Sequence, residues 1–359
     1  MFNISESEVT RDWIGQDVVV SICCAAYNHE LYIEEAINSF LNQKTEYPFE
    51  IIVNDDASTD ATKKILLEYK RKYPNIIRLI LHEKNQFSLG KRPLPFIIER
   101  SNGRYLAICE GDDYWLDTNK LQYQVALMKK FPEVDISFHP SRIVKGTELQ
   151  NLITGKRGSS NQVIPLSRVI TGGGVFCPTQ SIIVTKDVID NLPELFFRAP
   201  IGDYFLQVLA SIRGGALYIN KVMSAYRVDI AVSWTSNIWS EGNNKNKFFT
   251  KMIASLNELR DHLPPDSRSY VQDYIDMMYY NRGISYLKQK NTERFRIEFM
   301  EYFKDRKKRK GRISLLYHVH NIIGVERFTR SFHSTFLSNI PTRLIRKIAS
   351  NIGVDSKYT

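Results

Sequence analysis

No stretch of this 359-residue sequence is apolar for long enough to span a bilayer. Its first residues, MFNISESEVTRDW, are polar and acidic where a secretory leader carries positive charge followed by an apolar core. Cysteine is scarce: Cys23, Cys24, Cys109 and Cys177 are the only four, and none has zinc-type spacing. Three fall in predicted strands, and adjacent Cys23 and Cys24 point to opposite faces of one strand. They read as small buried residues in a reducing compartment, not as a disulfide framework. The first two-thirds lacks a charge bias, with 26 Lys and Arg against 27 Asp and Glu before Ser240. The excess lies after it, at 23 against 12. A 43% hydrophobic fraction supplies a sizeable core, and the length fits two domains or one large α/β domain with an extension.

What is there is an alternation of strand and helix patterns. Residues 18–26 (VVVSICCAA) form a nearly continuous apolar run, as expected of a strand covered on both faces. The run ends at Tyr27-Asn28-His29, and residues 31–43 follow with Ile33, Ile37, Phe40 and Leu41 on one helical face. Residues 49–53 form a second strand leading into Asn54-Asp55-Asp56-Ala57-Ser58-Thr59-Asp60, where Ser58 or Asp60 caps a helix to residue 73. Strands are predicted at 76–81 and 105–109, with a loop at 84–95 and a short helix end at 97–101 between them. Residues 120–131 are an amphipathic helix, 135–139 and 181–184 are strands, and the polar, Gly- and Ser-rich 151–165 reads as a mobile loop. A helix at 203–212 and strands at 216–219 and 222–227 close this part. Such alternation predicts βαβ units and a doubly wound, mostly parallel sheet, with ligands at the carboxyl ends of the strands.

Tyr27, Asp55-Asp56 and the segment Glu110-Gly111-Asp112-Asp113 all fall at such ends. Three carboxylates within four residues repel one another and resist desolvation, so stability does not call for them. A hard divalent cation reverses that cost, with Gly111 allowing the tight turn that lets Glu110 and Asp112 face one ion. The structural alternative is a solvated acidic turn, with Asp117 capping the next helix. Tyr27 alone reads equally as a packing aromatic, and Asp55-Asp56 as a helix cap. The coincidence of polar chemistry with three strand ends favours the functional reading.

Taken in order, residues 25–43 (AAYNHELYIEEAINSFLNQ), 51–60 (IIVNDDASTD) and 103–115 (GRYLAICEGDDYW) resemble the opening of the family 2 glycosyltransferases, and the likeness runs over residues 17–235. It implies a GT-A (Rossmann-like) fold, a mixed, mostly parallel sheet flanked by helices, here with a C-terminal helical extension. It also implies a nucleotide-sugar donor, UDP-linked, a divalent cation (Mn²⁺ or Mg²⁺), inversion at the anomeric centre, and an acceptor that is a glycan or polyprenyl-diphosphate-linked. Carried over by residue, Tyr27 stacks on the base, and Asp55 accepts from base or ribose beside Asn28 and Asp56. Asp112 is the principal metal ligand, Glu110 holds the first position of the DXD-type motif, and Gly111 and Asp113 complete the nucleotide-sugar site. Asp203, in the first turn of its helix, is the catalytic base, although an acidic residue there also serves as a helix cap. Trp115 (with Tyr114), Tyr226 and Arg227 contact sugar or acceptor. The chain departs from the family at Ala25, where proline is usual, at Glu110 for aspartate, and at Asp229, where a histidine is common. The arginine segment usual after the third strand is also not recognisable, and Lys91 or Arg92 stands in.

The expected organisation is an N-terminal extension at 1–16, a glycosyltransferase domain at 17–239 and a basic helical region at 240–359. In that region 248–263, 270–289 and 293–303 read as helices. Residues 304–312 (KDRKKRKGR) hold seven basic side chains, and with the amphipathic 328–348 they suit a solvated linker or an anionic membrane surface. Nucleic acid is disfavoured, since no recognised binding motif accompanies the charge. The resemblance places the protein in the bacterial cytoplasm, peripheral to the plasma membrane, in surface-polysaccharide assembly. Without a QxxRW-type motif or spanning helices it is not expected to be a processive synthase. The alternatives are a nucleotidyltransferase, for which a Gly-rich basic loop after the first strand is missing, and an inactive nucleotide-binding module.

Overall fold

Val20–Ala26 (β1) has a parallel neighbour on each side, which is why its sequence is a nearly continuous apolar run, with Ser21 its one hydroxyl. The computed structural model describes residues 4–228 and 242–289, with 291, 293–295, 297 and 298. A short capped helix, α1 (Glu6–Thr10), precedes β1. Then come α2 (Ile33–Leu41), β2 (Phe49–Asp55), α3 (Thr62–Lys72), β3 (Ile77–Leu81), α4 (Pro93–Ile98) and β4 (Tyr105–Ile108). The chain continues through β5 (Tyr114–Trp115), α5 (Lys120–Lys130), β6 (Ile136–Phe138), β7 (Ser141–Lys145), β8 (Glu148–Thr154), β9 (Gln162–Ile164) and α6 (Leu166–Gly172). It closes this part with β10 (Ile183–Thr185), α7 (Lys186–Asp190), α8 (Glu194–Arg198), α9 (Asp203–Leu209), β11 (Ala216–Tyr218) and β12 (Ser224–Val228).

The main sheet has eight strands in the order β3-β2-β1-β4-β10-β6-β11-β9. Its first four strands run parallel, with Val20 opposite both Phe49 and Tyr105, so the chain leaves β1, β2 and β4 at one edge. The antiparallel β10 then breaks the run. Helix α2 turns Ile33, Ala36, Ile37, Phe40 and Leu41 into the core at helical spacing, which fixes the loop between β1 and α2 over that edge.

A second sheet, β5-β12-β7-β8, was not anticipated as a unit. It pairs the two-residue β5, just after the acidic turn, with β12, more than a hundred residues later. The segment 151–165, expected to be a mobile loop, instead contributes the end of β8 and all of β9. Hydrogen bonding of β8 to β7 overrides the weak strand propensity of its polar sequence.

By internal packing the chain divides into two compact units, Met1–Ser233 with Asp261–Tyr270, and Trp234–Arg260 with Val271–Thr359. Two 21-residue helices, Gly242–His262 and Arg268–Lys288, lie in the C-terminal part. The first buries Met252, Leu256 and Leu259, and the second buries Tyr274 and Met278. Among the described residues no helix is long and apolar enough to cross a membrane. Asp229, residues 304–312 and residues 328–348 lie outside the described residues.

Candidate active site

At the carboxyl end of β1 the backbone of Asn28 takes a left-handed turn, with φ of 55°. Its side-chain oxygen accepts the Thr59 N–H at 2.8 Å, and its own N–H donates to the Ser58 hydroxyl at 2.9 Å. Asn28 thus binds the loop after β1 to the loop after β2. Asp55 is fully buried, and its carboxylate accepts from both the hydroxyl and the N–H of Ser58. Asp56 reaches the other way, accepting the N–H groups of Gln86 at 2.6 Å and Phe87 at 3.0 Å. Ala57, between Asp56 and Ser58, sits at φ 59°, a strained conformation for a residue with a Cβ. Three of the expected nucleotide contacts are therefore the braces that shape this wall, and half-buried Tyr27 lies beside them. Lys91 is exposed, whereas Arg92 turns inward.

The acidic turn follows β4. The Gly111 N–H donates to Ala25 O at 2.8 Å, which presses the turn against the end of β1. A Cβ on Gly111 would lie 2.8 Å from Ile33 Cδ1 and 2.9 Å from His29 Nδ1, so lack of space demands the glycine. The expected tight turn is present, closed by the Asp113 N–H donating to Glu110 O at 3.1 Å, and Gly111 makes it without a positive φ. Glu110, Asp112 and Asp113 bring carboxylate oxygens within 4.8 Å of one another. Asp112 Oδ2 is 3.9 Å from His29 Nε2, while its Oδ1 is buried and has no hydrogen-bond partner among the described residues. Asp113 is buried and accepts the N–H of Arg227 on Oδ1 at 2.7 Å.

The crowding shows in the protonation equilibria. Glu110 keeps an exposed edge, yet the protein packed around its carboxyl strips water and pushes it up to about 8, helped by repulsion from Asp112 and Asp203. Burial and then Asp112 push Asp113 well above the usual carboxylate range, against the pull of the Arg227 N–H. Burial pulls His29 down, opposed by the charge of Asp112.

Asp203 opens helix α9, and its Oδ1 accepts the Tyr204 N–H at 2.8 Å. Burial raises its carboxyl, with that N–H and the Arg92 guanidinium opposing. Arg92 stacks on Phe196 at 4.8 Å and lies so close to Gly202 that a Cβ there would meet Nη1 at 2.6 Å. Among the described residues neither Nη1 nor Nη2 of Arg92 has a hydrogen-bond partner, and both are buried. Tyr226 is 38% exposed, and its hydroxyl is pushed up to about 12 by burial and then by Asp113, Glu110, Asp112 and Asp203. The four acids and Tyr226 thus belong to one electrostatic site.

Two expected sugar or acceptor contacts are placed elsewhere. Trp115 is buried, its ring packed on Phe40 at 4.7 Å and under the Lys120 ammonium at 4.2 Å, and its N–H donates to Gln180 O at 3.0 Å. It is a core residue without a free face for a sugar. Arg227 is also buried, and every nitrogen of its guanidinium donates to a protein oxygen. His29 and Glu35 were not singled out from sequence, and nothing local to them signals the partners they meet.

Residues 21–187 match the family model for glycosyl transferase family 2. The chain is 37% identical over 253 residues to a dTDP-rhamnosyl transferase of Shigella flexneri, covering 66% of this chain and 84% of that one. It is 27% identical over 262 residues to a UDP-Glc:alpha-D-GlcNAc-diphosphoundecaprenol beta-1,3-glucosyltransferase of Escherichia coli, covering 72% and 97%. It matches an uncharacterised Mycobacterium tuberculosis protein at 34% identity but spans only 61% of its length. Among solved structures, S. aureus TarS residues 1–349 in complex with UDP-GlcNAc superposes with a TM-score of 0.63 at 16% identity, covering 87% of this chain and 90% of TarS. That likeness speaks for the fold, with its large, mostly parallel sheet. The family-model match, with the identity and coverage of the Shigella flexneri relative, shows that the chain belongs to glycosyl transferase family 2.

Proposed function

We propose that this chain is a metal-dependent, inverting glycosyltransferase. In this reading it moves a sugar from a pyrimidine-nucleotide donor, UDP-linked in the first instance, to a hydroxyl of a glycan or polyprenyl-diphosphate-linked acceptor in surface-polysaccharide assembly. The observation that carries the reading is Asp112 Oδ1, a buried carboxylate oxygen without a partner among the described residues, in a group of three acids. An unpaired buried anion is costly, and an oxygen-seeking cation removes that cost. The names of two relatives, one dTDP-linked and one UDP-linked, support a pyrimidine donor.

The residues fit Mn²⁺ or Mg²⁺. Asp112 would hold the ion through its unpartnered oxygen, with Glu110 beside it, while Asp113 supplies charge. Such an ion, when bound, supplies Lewis-acid stabilisation of the charge on a departing diphosphate. The acceptor oxygen attacks the anomeric carbon, and the bond to the diphosphate oxygen breaks with its electron pair. Oδ1 of Asp203 is engaged by Tyr204, so the acceptor's proton goes to Oδ2. A base placed in this way contributes on the order of 10²–10⁴-fold. The raised affinity of Asp203 for a proton strengthens it as a base, and Arg92 keeps it ionised. Tyr27 stacks on the nucleotide base, against the wall braced by Asn28, Asp55 and Asp56. The exposed Lys91 and Tyr226 stand at the rim for donor phosphate and acceptor.

Transfer from UDP-glucose, UDP-N-acetylglucosamine and dTDP-rhamnose to a polyprenyl-diphosphate-linked N-acetylhexosamine tests this reading. Product that EDTA and Asp112→Ala both abolish supports it, and product insensitive to both overturns the metal dependence. The basic residues 304–312 support contact with an anionic membrane face. A chain ended at residue 303 is then expected to leave anionic liposomes that the full chain binds, and unchanged binding removes the idea.

A further inference from the structure

We propose that Arg227 is the positioning residue that holds the acidic turn in its metal-binding shape, and that Glu35 anchors it. The inference rests on the reading of Asp112 and Glu110 as metal ligands. It replaces the family-based expectation that Arg227 touches the acceptor.

Four donors of this one residue reach four parts of the chain. Its backbone N–H donates to Asp113 Oδ1 at 2.7 Å, and its Nε donates to the Asp112 carbonyl oxygen at 2.8 Å. Nη1 donates to Gly146 O at 3.0 Å, and Nη2 to Glu35 Oε2 at 2.5 Å. The guanidinium plane lies between two aromatic rings, 4.7 Å from the centre of Tyr32 and 5.4 Å from that of Tyr114. The residue is 6% exposed. Three of the five guanidinium N–H groups, one on each nitrogen, are committed to protein oxygens, so the side chain is held by the turn and its anchors.

The bonds to Asp112 and Asp113 explain what the arrangement does. Carboxylates as close as those of Glu110, Asp112 and Asp113 push one another apart until a cation arrives. Arg227 pins the peptide between Asp112 and Asp113 from one side, and the Asp113 side chain from its own backbone. The Asp112 carboxylate is then left unpinned at Oδ1, in place for an ion. Its charge also offsets the repulsion, within an almost dry setting where that counts for more than in water. Glu35 projects from α2 with a side chain 52% exposed, so it holds the outer end of the guanidinium without entering the acidic group. The planar fork matters here, because a lysine ammonium brings equal charge and cannot serve three separated acceptors in one plane.

The test is calorimetric titration of the full chain with Mn²⁺ in the presence of UDP, together with acceptor KM and the thermal midpoint for each variant. Residues that orient metal ligands change metal affinity by roughly 10–100-fold when replaced, so Arg227→Lys is expected to weaken Mn²⁺ binding about tenfold with acceptor KM unchanged. Glu35→Gln is expected to weaken it in the same direction by less and to keep the thermal midpoint, which preserves the test if Arg227→Lys does not fold. The double variant is expected to be no weaker than Arg227→Lys alone, since Glu35 acts through Arg227. Wild-type Mn²⁺ affinity in both single variants, with a raised acceptor KM in Arg227→Lys, would overturn the proposal in favour of acceptor contact. A wild type that binds no Mn²⁺ overturns the metal reading itself, and this proposal with it.

Discussion

The ammonium of Lys120 lies 4.2 Å from the centre of the Trp115 ring, and both side chains are buried directly behind the acidic turn. Among the described residues Lys120 Nζ has no hydrogen-bond partner. Burial pushes it down to about 7 from its ordinary 10.5, with Cys109 opposing. The unfolded chain therefore keeps this proton to higher pH than the folded one. Between about 7 and 10.5 the unfolded state binds more protons, so this group makes stability rise with pH across that window. Below about 7 its cost is complete. Lys120→Met is expected to flatten that slope and to stabilise the fold by about 1–4 kcal/mol near neutral pH. Urea unfolding at a series of pH values reads both effects, and an unchanged slope would contradict them.

Asp203→Asn is expected to abolish transfer while donor binding stays within about twofold, because an amide keeps the shape and loses the proton acceptor. The wild-type profile of kcat/KM against pH carries the companion prediction. A base must be deprotonated to act, and burial raises Asp203, so the acid limb lies above the ordinary aspartate value of about 3.9. Equal loss of donor affinity in the variant would move Asp203 from proton transfer to donor binding.

Gly111→Ala puts a methyl group 2.8 Å from Ile33 Cδ1 and 2.9 Å from His29 Nδ1. Forcing an extra carbon into a packed site costs about 1–3 kcal/mol. The relief available is a shift of the turn, so the thermal midpoint and Mn²⁺ affinity are expected to fall together. Retained affinity at lowered stability would show that His29 or Ile33 gives way instead.

Much of this architecture is legible in the residues. The apolar run before Tyr27 is β1, and its two-sided burial follows from its lack of alternation. The strand ends carrying Asp55 and Glu110 come together because β1 pairs in parallel with β2 and β4. Other features depend on contacts that no local pattern encodes. Arg227 and Glu35 are 192 residues apart, and only the pairing of β12 with β5 brings them to one place. Lys91 and Arg92 are adjacent in sequence, and the choice of which faces Asp203 is made by packing on Phe196. Trp115 after an acidic turn looks like a sugar platform until Phe40 and Lys120 are seen to occupy its faces. Residues 151–154 read as loop from sequence, yet they end β8, since an edge strand owes its form to its neighbour β7.

The central claim is that Asp112 holds a cation on which pyrimidine-nucleotide binding depends. Calorimetry of UDP and dTDP with Mn²⁺ and with EDTA, on wild type and Asp112→Ala, tests it most directly. The account predicts nucleotide binding that requires Mn²⁺ and is lost in Asp112→Ala. Binding of equal strength in EDTA, or undiminished in Asp112→Ala, would contradict it.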